Sequence, residues 1–294
     1  MAYKPINCAI VLIGGVGPGN EYVTQVEDVE DNSDCRGDVP DLPEGRSYAG
    51  AAMSAGLPVF CGGFGVGGRH SECWTLYEDG WRESEPLVEK RNLFTMTAVN
   101  DKIVVTGGSN DVVGDLASVE IYEDGLWTIN PGMELTSTRF GHCAVEYMNK
   151  LIIIGGVSSR HTMNVVEMMD MTKIENGWTT LPAMIIKRGY TACAVVEVDG
   201  ITGVLVTGGW NGLDYIDAVE FLNLEFFEWE QLPSLLTGRA DHSLAVVGGL
   251  ATVFGGFDDG ALNTSEVFTT DGWRPGKDIA QNRYGQSVMD IGCY

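Results

Sequence analysis

Basic residues are scarce in this sequence. Its 294 residues hold 18 lysines and arginines against 41 aspartates and glutamates, a formal net charge of −23. Such a chain repels phosphate backbones and anionic lipid, which argues against nucleic acid and the membrane surface as partners. Histidine is scarcer still, with His70, His142, His161 and His242 making the full set. The apolar run Ala9 to Ile13 is far too short to span a bilayer. Met1 to Pro5 lacks the charged leader and long apolar core of a secretory signal, so a cytoplasmic location is expected. The seven cysteines include no CxxC pair, which excludes a zinc site of the finger type. Their odd number does not fit a pure disulfide framework. G-x-S-x-G, H-E-x-x-H and phosphate-loop motifs are all missing. The expectation is therefore no catalytic residues, no metal and no cofactor. No stretch shows a helical period.

Glycine is what the chain has in excess: 39 residues, about twice the ordinary share. Six diglycines close apolar runs, at Gly14-Gly15, Gly62-Gly63, Gly107-Gly108, Gly155-Gly156, Gly208-Gly209 and Gly255-Gly256. The steps between them are 48, 45, 48, 53 and 47 residues. Arginine keeps the same phase, at Arg46, Arg91, Arg139, Arg188, Arg239 and Arg283. The next diglycine follows 16 residues later, except after Arg188, where it follows at 20. Tryptophan repeats as Trp81, Trp127, Trp178, Trp229 and Trp273. Three markers in fixed order through the chain mean a structural repeat.

Each unit reads as four strands. After Arg91 these are LFTMTAVN, KIVVTGG, ASVEIYED and GLWTINPG, with alternating apolar and polar residues and turn residues between. A unit this small cannot bury both faces alone, so neighbours must stack. Four-stranded units of this length build propeller blades. The fold class expected is all-β: one six-bladed β-propeller of four-stranded antiparallel blades over residues 1–294. A diglycine in a strand signals close approach of another backbone. Tryptophan supplies an apolar wedge between blades. Arginine carries several donors in a fixed fork, suited to tying carbonyls of adjacent turns. His142 and His242 each lie three residues after a repeat arginine, and this equivalence favours a structural hydrogen bond.

A strand ending in Gly-Gly, then V-E-x-Y/F, then Trp, Pro and Arg resembles the kelch-repeat family. Matching segments are SVEIYEDGLW, NVVEMMD with NGW, AVEFLNLEFFEW and SEVFTTDGW. In kelch proteins that dock peptides, the resemblance implies a working face made by the loop after each diglycine and the residues just after each arginine. Here those positions hold Val16, Phe64, Ser109, Val157, Trp210 and Phe257, and Ser47, Asn92, Phe140, Gly189, Ala240 and Tyr284. One step further lie Tyr48, Leu93 and Tyr190. The expected ligand face is thus Tyr48, Phe64, Asn92, Phe140, Tyr190, Trp210, Phe257 and Tyr284. The loop cations Arg69, His70, Arg160 and His161 join it, since they could grip an acidic partner.

The chain starts at a second strand, INCAIVLIGG, and ends at a first strand, RYGQSVMDIGCY. The C-terminal strand, from 283–294, should therefore complete the blade that the N-terminus begins. Cys8 and Cys293 then fall at one hairpin turn, within the roughly 4.4–6.8 Å between Cα atoms that permits a disulfide. Free thiols are the alternative in a reducing compartment. Cys61 and Cys73 flank another hairpin, as a pair or as two buried thiols. The acidic first unit, Glu27 to Glu44, reads as a solvated edge.

The expected function is a non-catalytic, monomeric scaffold that binds a protein or peptide on its aromatic face, as adaptor or cytoskeletal kelch propellers do. The alternative is a small-molecule, sugar-binding or metal-dependent kelch enzyme that uses the central channel.

Overall fold

The computed structural model describes residues 10–29 and 39–291. Cys8, Cys35 and Cys293 lie outside that range, and with them the expected Cys8–Cys293 bridge. Six antiparallel sheets surround one axis. In the second blade the order is Gly50–Ser54, Leu57–Cys61, Cys73–Tyr77 and Gly80–Ser84 from the axis outward. The next four blades repeat it. In the first blade, Ile10–Ile13 pairs on one side with Val26–Asp28 and on the other with Ser287–Asp290. The tail of the chain thus supplies the inner strand of the blade that its head begins. Closure of this kind pairs the first blade from the far end of the chain and leaves only the short outer edges of the blades at the rim.

The spacing anomaly after Arg188 has a local cause. The inner hairpin of the fifth blade, Ala192–Val198 with Ile201–Thr207, is seven residues a side, where the second, third, fourth and sixth blades have five. Four extra residues lengthen the hairpin by two rungs without moving its anchored ends.

The repeat arginines are the buried hubs of the blades, none more than 2 % exposed. Arg239 donates to the Gly255 carbonyl at 2.8 Å and to Glu266 at 2.6 Å. Arg91 treats Gly107 and Glu120 the same way, at 2.8 and 2.7 Å. Arg188 meets Glu220, Arg283 meets Glu27, and Arg139 meets Glu167. Each glutamate stands at the E position of the V-E-x-Y/F motif, next to the residue that opens the blade's third strand. Its carboxylate is further satisfied by backbone N–H groups, as when Glu120 accepts from Val88 and Glu89 at 2.7 and 3.0 Å. Buried charges persist only when paired and hydrogen-bonded in this way. Glu27 is therefore not part of a solvated edge, as its acidic neighbourhood suggests, but the acceptor of Arg283 at 2.7 Å.

The arginine main chain makes the joint to the preceding blade. The second glycine of each pair donates to the carbonyl of the next blade's arginine, as from Gly108 to Arg139 at 2.8 Å and from Gly256 to Arg283 at 2.9 Å. A Cβ on Gly107 would lie 2.5 Å from the same Arg139 oxygen, and φ there is +58°. Only glycine fits both the space and the left-handed backbone. The tryptophans wedge between blades, and Trp81, Trp127, Trp178 and Trp229 donate to a carbonyl of the blade before, as Trp229 to Pro182 at 2.8 Å.

The second blade departs from the pattern. Trp74 occupies the glutamate position, and the Arg46 guanidinium lies 5.0 Å from its ring centroid. Arg46 instead pairs with exposed Glu44 at 2.8 Å and contacts His70 Nδ1 at 3.0 Å. In the same blade Cys61 and Cys73 face each other in register and form a disulfide. A second disulfide, Cys143–Cys193, joins the inner strands of the fourth and fifth blades with Cα atoms 5.9 Å apart.

Candidate functional site

On the loop face, the residue after each arginine pairs through its backbone with the residue after the same blade's diglycine. The six pairs are Ser47–Phe64, Asn92–Ser109, Phe140–Val157, Gly189–Trp210, Ala240–Phe257 and Tyr284–Val16. Short bridges of this sort hold the loops flat and bring the two sets of positions side by side. Five pairs carry an aromatic ring. The pair of the third blade is polar, and Arg69 is bonded to it.

The rings fall into arcs. Phe140 and Tyr190 meet edge-on at 5.9 Å, and Tyr190 lies 6.5 Å from Trp210. Tyr48, Tyr284 and Phe257 follow one another at 6.3 and 5.1 Å, and Tyr215 joins at 5.6 Å. Phe64 stands apart, 6.1 Å from Tyr22 and beneath the Arg69 guanidinium. Each of the seven expected aromatics is half-buried, with part of its ring open to solvent.

The expected cations divide in two. Arg69 donates to Asn92 Oδ1 at 2.9 Å and to Ser109 Oγ at 3.3 Å, and it pairs with Asp111. His70 bonds Arg46, Glu72 and the Val66 carbonyl. Both side chains, and buried Asn92, are engaged inside the fold. Arg69 and Asn92 brace the second blade against the third, while the partners of His70 lie within the second blade. Arg160 and His161 are exposed. They line a groove of about 520 Å³ together with Lys187, Ile185 and Leu213. Ile185 is 54 % and Leu213 87 % exposed.

At the axis the residues two past each arginine form a closed ring: Tyr48, Leu93, Gly141, Tyr190, Asp241 and Gly285. All six have left-handed φ, between 53° and 62°. Each N–H donates to the carbonyl of the ring member before it, at 2.6 to 3.0 Å, and Tyr48 closes the cycle on Gly285. The cycle uses up all six N–H groups of the ring. A Cβ on Gly285 would come within 2.7 Å of the Tyr48 ring, and one on Gly141 within 3.1 Å of the Tyr190 ring. Glycine at these places lets the two tyrosines lie back over the ring.

Asp241 is the ring's one acid. Burial pushes its carboxyl up to about 7, against the lowering effect of a 3.4 Å hydrogen bond from the Tyr48 hydroxyl. Burial, and then the nearby Asp241, drive the Tyr48 and Tyr190 hydroxyls well above the usual phenol range, so both remain donors. His142 and His242 line the same cavity. Their Nε2 atoms bond Thr106 Oγ1 at 2.9 Å and Thr207 Oγ1 at 2.8 Å, bridging to the preceding blade as their repeat equivalence implies. Burial lowers both imidazoles to about 3, and they stay neutral. Asp241, Tyr22 and Tyr215 were not among the residues expected from the sequence. Asp241 was findable, since it stands at the same offset from its arginine as Tyr48 and Tyr190.

Among the described residues no group of three or more His, Cys, Asp or Glu is placed to hold a metal ion. No helix among them is long and apolar enough to cross a membrane.

The chain is similar to human Kelch-like protein 33, 31 % identical over 160 residues that make up 52 % of this chain and 30 % of that protein. Beta-scruin of Limulus polyphemus is 24 % identical over 296 residues, 89 % of this chain and 31 % of its own. Mouse Kelch-like protein 23 is 28 % identical over 192 residues, 61 % of this chain and 33 % of its own. The chain thus spans about a third of the length of the curated relatives it matches. Among solved structures, that of YjhT superposes with a TM-score of 0.70 at 14 % identity, over 84 % of this chain and 88 % of the other. That likeness shows the fold alone. The model of the KLHDC2/KLHL20/DRC7 kelch-repeats domain matches residues 93–275, more than half the chain, and this protein belongs to that kelch-repeat family.

Proposed function

We propose that the propeller is a binding scaffold whose loop face docks a protein or peptide partner, with Tyr48, Phe140, Tyr190, Trp210, Phe257 and Tyr284 as the contact surface. The observation that carries the reading is the pair of aromatic arcs, held rigid by the backbone bridges and half open to solvent. Rigid aromatics with one polar end concentrate binding energy at little entropic cost. Arg160, His161 and Lys187 at the groove beside Leu213 suit a partner segment that combines a carboxylate with an apolar side chain. The kelch-like and scruin relatives fit a protein-binding or cytoskeletal scaffold.

The test is capture of partners from a native extract by the intact propeller, repeated with Trp210→Ala and with Phe257→Ala. Each change should weaken a captured partner at least tenfold while leaving the unfolding midpoint within a few degrees. Equal capture by all three proteins would move the interface off this face.

A further inference from the structure

The ring at the axis holds a carboxylate that the fold does not need. All six ring N–H groups are satisfied within the cycle. Among the described residues the Asp241 carboxylate receives one long hydrogen bond, from Tyr48 to Oδ2, and forms no ion pair. Every fully buried carboxylate of the blades, by contrast, has an arginine within hydrogen-bond distance. An asparagine would serve the backbone of position 241 equally well, because Asn tolerates the left-handed region. A half-buried carboxylate without a counter-charge costs stability, and such positions concentrate at working sites.

The surroundings of Asp241 specify what it would hold. The cavity before it is about 130 Å³. Each water occupies roughly 30 Å³ of the liquid, so this is the room of about four waters or a short alkyl chain. Tyr48, Tyr190 and Leu93 line it as aromatic and apolar walls. The other titratable groups on it are uncharged at pH 7: His142 and His242 are neutral imidazoles, and Tyr48 and Tyr190 keep their hydroxyl protons. The Nδ1 atoms of both histidines are buried and lack a hydrogen-bond partner. Asp241 Oδ2 is engaged by Tyr48, so Oδ1 remains for a compact point charge. A guanidinium fork would ask for both oxygens. Tyrosine faces attract ammonium groups, and the net charge of −23 draws cations towards the propeller.

We propose that the mouth of the channel is a receptor for one alkylammonium group, a lysine side chain of the docked partner, with its ammonium on Asp241 and its methylene stem between Tyr48, Tyr190 and Leu93. The choice of a partner's lysine as the source rests on the docking reading above; the receptor itself does not.

The experiment separates the two. The intact chain is titrated near neutral to mildly alkaline pH with Nα-acetyl-lysine-N-methylamide, and with the same compound acetylated on Nε, following tyrosine fluorescence or NMR shifts. The charged compound should bind saturably, and the acetylated one at least tenfold more weakly. Asp241→Asn should weaken the charged compound at least tenfold while retaining the native near-ultraviolet circular dichroism. Tyr190→Ala should weaken it several-fold, and Tyr190→Phe little. No saturable binding to the wild type would overturn the receptor, as would equal binding of the two compounds; both readouts need no variant. If the titration succeeds while Asp241→Asn captures partners undiminished, the lysine does not come from the partner and that part of the proposal falls. If Trp210→Ala and Phe257→Ala leave capture intact while the titration succeeds, the docking reading fails and the receptor stands.

Discussion

The seams between the blades and the ring around the axis are built on the same six-fold backbone, yet they differ in how their side chains are used. At the seams one arrangement recurs: arginine on glycine carbonyl and glutamate, glycine N–H on arginine carbonyl. Five of the six blades share the arginine–glutamate pair, and the buried charges are matched. At the ring only the main chain recurs. The side chains are tyrosine, leucine, glycine, tyrosine, aspartate and glycine, no two neighbours alike. What repeats in a propeller is what the backbone demands in every blade. What fails to repeat at an equivalent position is free of that demand, and there a function can be carried.

Breaking a seam should have the largest effect. Arg239→Met removes the partner of Glu266, which is 1 % exposed, and strands a buried carboxylate. The expected loss is about 3–5 kcal/mol, measured by urea unfolding. Arg46→Met removes an equally buried arginine from the one blade whose glutamate is Trp74. Its ionic partner there, Glu44, is 61 % exposed and returns to water. The expected loss is about half as large or less, since a solvated carboxylate carries no burial penalty. Equal losses would mean that packing, and not charge pairing, governs the seams.

At the ring the sign reverses. The folded protein keeps the Asp241 proton up to about pH 7, whereas the unfolded chain releases it near 3.8. Between those values the native state binds more protons than the unfolded one, so this group's contribution to stability falls as pH rises through about 7. Asp241→Asn removes that loss. The variant should match the wild type near about pH 4 and exceed it near about pH 8 by on the order of 2 kcal/mol, discounted for the opening of the cavity to solvent. Chemical unfolding at the two pH values measures the difference. A variant less stable than the wild type at the higher pH would show that the carboxylate has a structural partner after all.

The same contrast governs how much the sequence discloses. Diglycine, arginine and tryptophan are legible because each serves one backbone geometry six or five times over, and phase exposes them. The glutamates were in view within V-E-x-Y/F. Reading Glu27 as part of an acidic edge overlooked its identity with Glu120 and Glu220, each the acid after the apolar residue that opens a third strand. Trp74 was equally visible as a break in that motif. Cys143–Cys193 was not visible, because the two thiols come from different blades at offsets that differ by one residue from their arginines. The aromatic arcs follow from position, but the edge-on contacts and the entry of Tyr215 depend on loop paths that no period sets. Asp241 was identifiable by offset. Its raised pKa was not, since it arises only once the ring has closed and the carboxyl has been partly withdrawn from water.

Arg69 belongs to neither class, which makes it the finest test of the division. It lies on the loop face, where side chains vary, yet it does structural work between the second and third blades. Its partners Asn92 and Ser109 are buried, and its ionic partner Asp111 is 64 % exposed. An ion pair so placed contributes about 0–1 kcal/mol, and the ring of Phe64 beneath the guanidinium adds about 0.5–1 kcal/mol. Arg69→Ala should therefore cost no more than about 2 kcal/mol, and Arg69→Lys, which retains the charge without the fork, should recover part of it. Raising the salt concentration should shrink the difference between wild type and Arg69→Ala, whereas it should leave the Arg239→Met loss nearly unchanged, because the Arg239–Glu266 pair is shielded from ions. A salt response of equal size at both positions would erase the distinction between a seam, where charge is sealed inside the repeat, and a loop face, where it is shared with solvent.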